Sequence, residues 1–262
     1  MRPLIALLSD FGSRDHYAGT MKGVMMGICP ELSLVDITHA VRPHDVLEGA
    51  LQLAAACRYF PPGTIFLAVV DPGVGSSRRG LAAEAGDYRF VAPDNGLLTA
   101  VFQEIPPKKI VELTERRYAR PTVSRTFEGR DRFAPAAAWL AKGVQLAALG
   151  RTLATYHQLD IPRPDVKPTS VRGVVLLVDH FGNLVTNIDR RVFETLARDH
   201  PVTVTAGGRQ IGGVVATYAD IRPGEICALF GSTDHLEIAA NGGSAEVALA
   251  LTRGAVVEVS RS

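Results

Sequence analysis

An acid and two arginines follow one of the most apolar segments of the sequence. Residues 64–70 are almost entirely apolar, Asp71 comes next, and a turn rich in glycine separates it from Arg78 and Arg79. In open α/β sheets, ligands bind at the edge formed by the carboxyl ends of the strands. The segment therefore predicts a buried strand that delivers a carboxylate and a guanidinium to a binding edge. The alternative is a structural ion pair between Asp71 and Arg78 that only holds the loop.

Two more carboxylates follow the first apolar segment, residues 4–8. Asp10 and Asp15 lie five positions apart, where a strand is expected to lead into a helix. An ionised aspartate accepts hydrogen bonds at two oxygens, which suits a sugar diol, and its charge suits a cation. We therefore expect Asp10 to bind a polyhydroxylated, cationic ligand. Capping of the following helix is the alternative, and it fits Asp15 better than Asp10.

A third group of charged residues crowds the start of an apolar helix, which is expected over residues 131–141. Its members are Glu128, Arg130, Asp131 and Arg132. A helix N-terminus favours anions and polar ligands, so this start is a candidate site. The alternative is that Asp131 caps the helix while the other charges face solvent.

The fourth candidate site lies in the second half of the chain. Asp179, Phe181 and Asn183 alternate around Gly182. In this order an acid can bind an amine, an aromatic ring can stack on a base, and an amide can hydrogen-bond the edge of that base. The alternative is a hairpin turn at residues 181–183, and the two interpretations are compatible.

Composition argues against several classes of function. The chain has 262 residues, 47% of them apolar and 21% charged, with a net charge of +1. Nucleic acid is not favoured as a partner because no long basic block is present, and no apolar run reaches the roughly 18 residues of a membrane helix. Three scattered cysteines, Cys29, Cys57 and Cys227, are typical of buried thiols in a reducing compartment. We therefore expect a cytoplasmic protein.

Motifs for serine, metal or nucleotide chemistry are missing from the sequence. The seven histidines show no metal-ligand spacing, and neither G-x-S-x-G nor a P-loop occurs. Gly73 and Gly75 begin a dinucleotide-like pattern, but Arg78 stands where the third glycine belongs. The sequence therefore predicts neither a metal site nor a nucleotide cofactor.

The elements that must position these residues follow two patterns. Up to about residue 160, apolar runs typical of strands alternate with amphipathic segments, which indicates a mainly parallel sheet covered on both faces. Residues 161–168 contain three prolines and predict an extended linker. Short β-rich segments separated by turns follow, which is typical of a small antiparallel domain or barrel.

The sequence thus predicts an α/β protein of two domains. Residues 1–164 are expected to form an α/β sandwich-like domain with a mainly parallel sheet, and residues 165–262 a smaller antiparallel β-barrel-like domain. Helices are expected over residues 17–28, 46–59, 96–103 and 131–141. Strands are expected over residues 4–8, 34–37, 65–70, 81–85, 88–92 and 110–113, and in the second domain over 171–178, 202–206, 209–216, 226–230, 236–239 and 255–259.

Taken together, the motifs resemble one enzyme family. The chain is similar over nearly its whole length to the S-adenosyl-L-methionine (SAM) hydroxide adenosyltransferases, also called SAM hydrolases, which are related to fluorinase and chlorinase. The matching motifs cover residues 8–12, 17–23, 36–39, 70–75, 92–98, 127–135, 179–187 and 241–245. An ordered set of this kind is far more specific than any one of its members.

The resemblance implies both an architecture and an activity. It implies an N-terminal α/β domain, a C-terminal β-barrel-like domain, and a homotrimer that binds SAM between neighbouring subunits. The reaction it implies is hydrolysis of SAM to adenosine and L-methionine, by in-line attack of water or hydroxide at ribose C5′. SAM is then a substrate, and the resemblance implies no cofactor, nucleic acid or membrane.

The resemblance also implies roles for individual residues. The matching positions are Asp10 for the ribose diol, Asp15 and Asp179 for the amine of the methionine end, Phe181 and Asn183 for the adenine ring and its edge, and Ser232 for the methionine carboxylate. The backbone of residues 237–241 is expected to pass the adenine.

One of the family's three catalytic residues is substituted in this chain. The family's hydrolases carry an Asp-Arg-His set that prepares the water; Asp71 and Arg78 match the first two positions, and Glu128 occupies the third. Ionised glutamate can accept a hydrogen bond and act as a general base, but it cannot donate a hydrogen bond. Asp71, Arg78 and Glu128 are therefore the candidate catalytic residues. The hydrolase branch is favoured because residues 95–96 lead straight into a helix, without the extra loop that fluorinase carries there.

Three alternatives stay open at this point. One is a halide-dependent adenosyl transferase that forms 5′-halo-5′-deoxyadenosine. Another is a non-catalytic protein that binds SAM or adenosine, because Glu128 replaces the family's histidine. The third is a structural trimer whose polar clusters are interface salt bridges.

Overall fold

The computed structural model describes residues 2–198 and 200–261 of the chain. By its internal contacts the chain divides after Asp160 into two compact units. This division falls at the start of the proline-rich segment, four residues before the expected boundary. The description of the domains as residues 1–164 and 165–262 stays a prediction.

The first unit alternates strands and helices, as the sequence pattern indicates. Its strands are β1 (Leu4–Ser9), β2 (Ser33–Thr38), β3 (Ile65–Val69), β4 (Gly80–Ala85), β5 (Tyr88–Pro93) and β6 (Pro107–Glu112). Its helices are α1 (Tyr17–Ile28), α2 (Val46–Cys57), α3 (Thr99–Glu104) and α4 (Ala134–Ala141), the last preceded by a π-helical turn (Gly129–Phe133).

These strands form one six-stranded sheet in the order β2-β1-β3-β5-β4-β6. β1 pairs in parallel with β2 and with β3, and β3 pairs in parallel with β5. β4 pairs antiparallel with both β5 and β6. The mainly parallel sheet of the prediction is confirmed.

Helices cover both faces of this sheet. Ile5 and Leu7 of β1 pack in one core with Met21 of α1 and with the apolar residues of α4. Leu8 points to the opposite face, where it lies against Gly49 of α2. Successive side chains of a strand face opposite sides, so β1 needs apolar residues at every position, and its segment is apolar throughout.

The second unit is built from antiparallel strands. Its elements are β7 (Asp165–Val166), β8 (Ser170–Val178), β9 (Leu184–Asp189), α5 (Arg190–Ala197), β10 (Val202–Ala206), β11 (Arg209–Gly212), β12 (Ile226–Phe230), β13 (His235–Ala240), α6 (Ala245–Leu249) and β14 (Val256–Arg261). The strand order is β11-β10-β14-β8-β9-β13-β12, with β7 beside β8. The Val215 N–H donates to the Ala228 carbonyl of β12 at 2.9 Å, just beyond β11, so the sheet nearly closes on itself. The predicted barrel-like fold is confirmed.

Several local predictions differ from the structure: the helix expected over residues 96–103 is α3 (Thr99–Glu104), and the strand expected over residues 209–216 ends at Gly212. The expected elements also omit β7, β9, α5 and α6, although α5 and α6 begin with ordinary caps: Asp189 accepts from the Val192 N–H at 2.7 Å, and Ser244 accepts from the Val247 N–H at 3.2 Å. The expectation that Asp131 caps a helix is wrong. Asp131 lies inside the π-helical turn, and its carboxylate accepts from the Ser124 N–H at 2.8 Å.

None of the helices in the described part of the chain combines the length and apolarity that crossing a bilayer requires. The three cysteines are free and buried, as the sequence predicts.

Candidate active site

The carboxyl ends of β1 and β3 bring two of the candidate acids together. The two strands are parallel neighbours, with Ser9 directly opposite Val69. Asp10 and Asp71 follow these residues closely, so both acids emerge at the same edge of the sheet. Their charges interact, because Asp10 helps to raise the pKa of Asp71. The predicted binding edge is therefore present, with both acids on it.

Arg78 binds Asp71 through two parallel hydrogen bonds. Its Nε donates to Asp71 Oδ1 at 2.8 Å, and a terminal nitrogen donates to Oδ2. The two side chains are 9% and 6% exposed. The turn between them passes through Gly75 (φ +79°), where a Cβ would collide with the Arg125 carbonyl. Only glycine fits there, and its close approach brings the turn against the segment that leads to Glu128.

Glu128 completes this buried cluster. Its Oε2 accepts from Arg78 at 2.9 Å and from Arg132 at 3.0 Å. Its Oε1 accepts no hydrogen bond from residues 2–198 or 200–261, so one acceptor oxygen remains available. The Phe133 ring lies 5.2 Å from the Arg78 guanidinium carbon and closes one side of the cluster. The three candidate catalytic residues are thus joined in one hydrogen-bonded group.

Burial and charge set the ionisation of this cluster. Burial raises the pKa of Asp71, and the carboxylates of Glu128 and Asp10 raise it further, against the lowering effect of Arg78. Burial lowers the pKa of Arg78, but its bonds to Asp71 and its attraction to Glu128 outweigh that effect and raise the pKa above its usual value. Arg78 therefore stays charged, and Asp71 is a better proton acceptor than a free carboxylate.

Asp131 belongs to the supporting structure. It is fully buried and accepts from Arg130 Nε at 2.7 Å. Burial raises its pKa, yet the hydrogen bonds from Arg130 and Ser124 outweigh burial and lower the pKa. Its carboxylate faces protein donors, so Asp131 anchors the π-helical turn that directly follows Glu128.

The two acids after β1 differ in their surroundings. Asp10 Oδ2 accepts from the His44 N–H at 2.9 Å, and His44 adopts a left-handed conformation (φ +68°). Asp15 is exposed, and no hydrogen bond or ion pair holds it within the described residues. An aromatic group lies next to Asp10, with the Phe11 and Phe127 rings 5.9 Å apart.

In the second unit, the Asp179–Asn183 turn is confirmed as a hairpin between β8 and β9. Asp179 Oδ1 accepts from the Phe181 and Asn183 N–H groups at 2.9 and 2.8 Å, and Oδ2 accepts from Asn183 Nδ2 at 2.8 Å. Gly182 (φ +84°) packs so closely on Ser244 that a Cβ would overlap the hydroxyl. Phe181 itself is 73% exposed. The turn thus brings together the Asp179 carboxylate, the Asn183 amide and the exposed Phe181 ring.

A buried acid lies beside this turn. Glu237 of β13 is 7% exposed, and the Tyr218 side chain lies close enough to its carboxylate to affect its pKa. Burial and the negative charge of Asp179 raise the pKa of Glu237 to about 7, against a lowering effect of Tyr218. Ser232 is exposed in the loop between β12 and β13.

Sequence reasoning placed Arg132 in a charged cluster without a role of its own, and it gave no role to His44 or to the side chains of Tyr218 and Glu237. The spacing of four residues between Glu128 and Arg132 is a signal for an ion pair on a helical turn. No local pattern links Tyr218 to Glu237, because they come from distant segments. In the part of the chain that the structure describes, no three His, Cys, Asp or Glu side chains are grouped as metal ligands.

Two family models match the chain. That of the SAM hydroxide adenosyltransferase N-terminal domain matches residues 5–150, and that of the C-terminal domain matches residues 173–258.

Individual relatives match over nearly the whole chain. An (R)-S-adenosyl-L-methionine hydrolase from Salinispora tropica is 40% identical over 255 residues, which are 96% of this chain and 95% of that protein. One from Thermus thermophilus is 38% identical over 269 residues, covering 99% of this chain and 100% of that protein. A fluorinase from Actinoplanes sp. is 34% identical over 221 residues, covering 73% of this chain and 74% of its own.

A solved structure has the same fold. The crystal structure of an uncharacterised conserved protein from Thermotoga maritima has a TM-score of 0.93 to this chain at 39% identity, and covers 98% of this chain and 100% of its own. From the two family models and the full-length relatives together, the chain belongs to the SAM hydroxide adenosyltransferase family.

Proposed function

We propose that this protein hydrolyses SAM to adenosine and L-methionine. Relatives at 38–40% identity over nearly the full chain carry the name SAM hydrolase. The observation that carries the proposal is the buried Asp71–Arg78–Glu128 group, which unites an immobilised guanidinium with a free acceptor oxygen on Glu128. Those are the two functions needed to hold a water molecule and take its proton.

The reaction requires positioning of water and SAM more than it requires acid catalysis. The sulfonium of SAM is already an excellent leaving group, so methionine departs without a proton. The water oxygen forms a bond to C5′ as the C5′–S bond breaks, and that electron pair stays on sulfur. Holding the two reactants in line can supply about 7–11 kcal/mol. The sulfonium charge disappears in the transition state, which favours a site shielded from water.

Each member of the group has a distinct role in this proposal. Arg78 donates to the attacking oxygen and fixes its direction. Glu128 Oε1 accepts a hydrogen bond from the water and takes its proton as the new bond forms. Asp71 holds Arg78 in place, and its raised pKa allows it to act as a second proton acceptor.

The proposed substrate contacts follow the same logic. Asp10 accepts from the ribose diol, Asp15 and Asp179 bind the amine of the methionine end, Phe181 and Asn183 contact adenine, and Ser232 binds the methionine carboxylate. An ionised carboxylate has about four acceptor sites. Asp179 uses three of them within its turn, which leaves room for an ammonium donor. The exposed ring of Phe181 offers a face on which adenine can stack.

The proposal also covers the oligomeric state, the location and the cofactor requirement of the enzyme. The protein works as a homotrimer with SAM between neighbouring subunits, in the cytoplasm, and without a cofactor. Light scattering after size-exclusion chromatography measures the trimer, and a monomeric mass at micromolar concentration contradicts it. Activity that survives exhaustive chelation supports the absence of a metal cofactor.

The decisive experiment is incubation with SAM followed by chromatography for adenosine and methionine. The expected result is equimolar formation of both, lost in the Arg78→Met variant. An unchanged SAM signal, together with co-purified nucleoside, would indicate a binding protein. Addition of chloride or fluoride tests the transferase alternative, because 5′-halo-5′-deoxyadenosine would then appear in place of adenosine.

A further inference from the structure

Arg132 makes contacts that the proposed mechanism does not yet use. It lies in the π-helical turn, four residues after Glu128, with its side chain 24% exposed. One terminal nitrogen donates to Glu128 Oε2 at 3.0 Å, and the other donates to the Leu113 carbonyl at 2.7 Å. Arg132 thus connects the catalytic glutamate to the backbone that follows β6.

The contacts of Arg132 fix which oxygen of Glu128 is free. Arg78 and Arg132 both donate to Oε2, so the carboxylate is held by one oxygen from two sides. The Leu113 carbonyl orients Arg132, and the Leu113 N–H donates to the Gly80 carbonyl at 2.8 Å, two residues beyond Arg78. Both arginines are therefore anchored to the same pair of strand ends. A carboxylate held in this way keeps Oε1 in one direction.

Arg132 also balances the charge of the cluster. Asp71 and Glu128 carry two negative charges, and Arg78 and Arg132 carry two positive charges, so the four side chains sum to zero. Without Arg132, the two buried carboxylates would share one guanidinium, and the excess negative charge would be costly in a poorly solvated place. A neutral cluster suits a neutral water molecule as the nucleophile.

We propose that Arg132 is a positioning residue for the hydrolysis, which directs Glu128 Oε1 toward the attacking water. This inference rests on the proposed function, because it assumes that Glu128 receives the proton. It assigns Arg132 no contact with SAM. It also explains how a glutamate works in this position, since the fixed carboxylate supplies an acceptor of constant direction.

Kinetics of Arg132 variants test the proposal. Arg132→Met keeps much of the apolar stem, and we expect it to lower kcat about tenfold with KM within twofold of the parent. Arg132→Lys should recover part of kcat, because one ammonium keeps the charge but cannot form both planar contacts. In a Glu128→Gln background, Arg132→Met should lower kcat no further. An equal loss in both backgrounds would mean a purely structural role and would overturn the inference.

A second measurement does not depend on turnover. In a crystal structure of Arg132→Met we expect the Glu128 carboxylate to leave the position in which Oε2 meets Arg78. A carboxylate that stays in place overturns the inference, whatever the activity. A parent protein that never releases adenosine overturns the proposed function alone. If Arg132→Met fails to fold, the Arg132→Lys variant carries the same structural test, with displacement of the Glu128 carboxylate expected there too.

Discussion

The carboxylates of the cluster after β3 form ion pairs, whereas those of the cluster beside the β8–β9 turn do not. Asp71 and Glu128 are paired with guanidinium groups, and their charges are balanced by Arg78 and Arg132. Within the described ranges, neither Asp179 nor Glu237 forms an ion pair with a lysine or arginine. Asp179 is held by N–H donors, and Glu237 lies beside the Tyr218 side chain.

This difference indicates what each cluster is suited to bind. A balanced cluster leaves no net charge to attract an ion, so it suits a neutral molecule such as water. An unbalanced pair of acids gains from a positive charge brought by the ligand, and SAM carries an ammonium and a sulfonium. The comparison predicts that substitutions in the first cluster change turnover and that substitutions in the second change affinity.

Removal of Arg78 should have the largest effect. Arg78→Met leaves Asp71 and Glu128 without their shared cation, and we expect kcat to fall about 10³-fold. Loss of a buried ion-pair partner typically costs about 3–5 kcal/mol of folding free energy. Arg79→Met is the matched control, because Arg79 pairs with Asp94 and not with the cluster. Steady-state kinetics and urea unfolding measure both effects; similar kcat values for the two variants would contradict the catalytic role of Arg78.

Replacement of Glu128 should affect turnover next most strongly. Glu128→Gln retains the shape but not the base, and we expect kcat to fall about 100-fold with little change in KM. Glu128→His should remain above the Gln variant, because a neutral imidazole also accepts a proton. If the Gln variant loses nothing and the His variant gains nothing over it, position 128 is not catalytic.

Neutralising Asp179 should act mainly on affinity. An Asn side chain can still accept from the N–H groups of the turn, but it lacks the charge that binds an ammonium. We expect Asp179→Asn to raise the dissociation constant for SAM by about tenfold or more, since hydrogen bonds to charged groups contribute about 1.5–3 kcal/mol. Adenosine, which has no ammonium, should lose less affinity than SAM, because only the Asn183 Nδ2 contact with Asp179 Oδ2 is disturbed. Titration calorimetry with SAM and with adenosine measures the two dissociation constants. Equal losses of affinity for both ligands would contradict the role of Asp179 in binding the ammonium.

The smallest expected effect concerns stability and pH. The pKa of Glu237 is raised from 4.5 to about 7, so the native state binds more protons than the unfolded state between these values. Stability contributed by Glu237 is therefore present at low pH and is lost as the pH rises through this window, by at most about 3 kcal/mol.

Glu237→Gln removes this titration while retaining an acceptor for Tyr218. Since the amide is still a buried polar group, we expect a gain of only about 1 kcal/mol at pH 8 and none at pH 5. Urea unfolding at the two pH values measures it, with Glu258→Gln on the exposed side of β14 as the control. A gain that is equal at both pH values would show that Glu237 does not titrate in this range.

The sequence was most informative where local pattern and burial agree. The apolar runs that end in Asp10 and Asp71 predict both strands and the edge where the acids meet, because parallel neighbours end together. The prediction for α1 matches at both bounds, since Pro30 prevents its continuation. The amphipathic pattern is short in α5, and the capping role of Asp189 was the signal that sequence reasoning overlooked.

The chemistry of Glu128 could not be predicted from its own segment. Its two arginine partners come from different elements, and its free oxygen depends on a π-helical turn that a sequence pattern does not distinguish from an α-helix. The same turn explains why Asp131 is not a cap. The contact between Tyr218 and Glu237 joins segments with no shared motif, so only the folded chain reveals it.

Because Ser9 pairs with Val69, the number of residues in β1 and in β3 determines where Asp10 and Asp71 emerge from the sheet. One residue inserted in either strand would turn every later side chain to the other face of the sheet and would carry one aspartate past its neighbour. The distance between the two carboxylates therefore depends on the number of residues in each strand. Insertions inside these two strands should abolish turnover even when every charged residue is retained, whereas insertions in the exposed loops at the opposite edge should be tolerated.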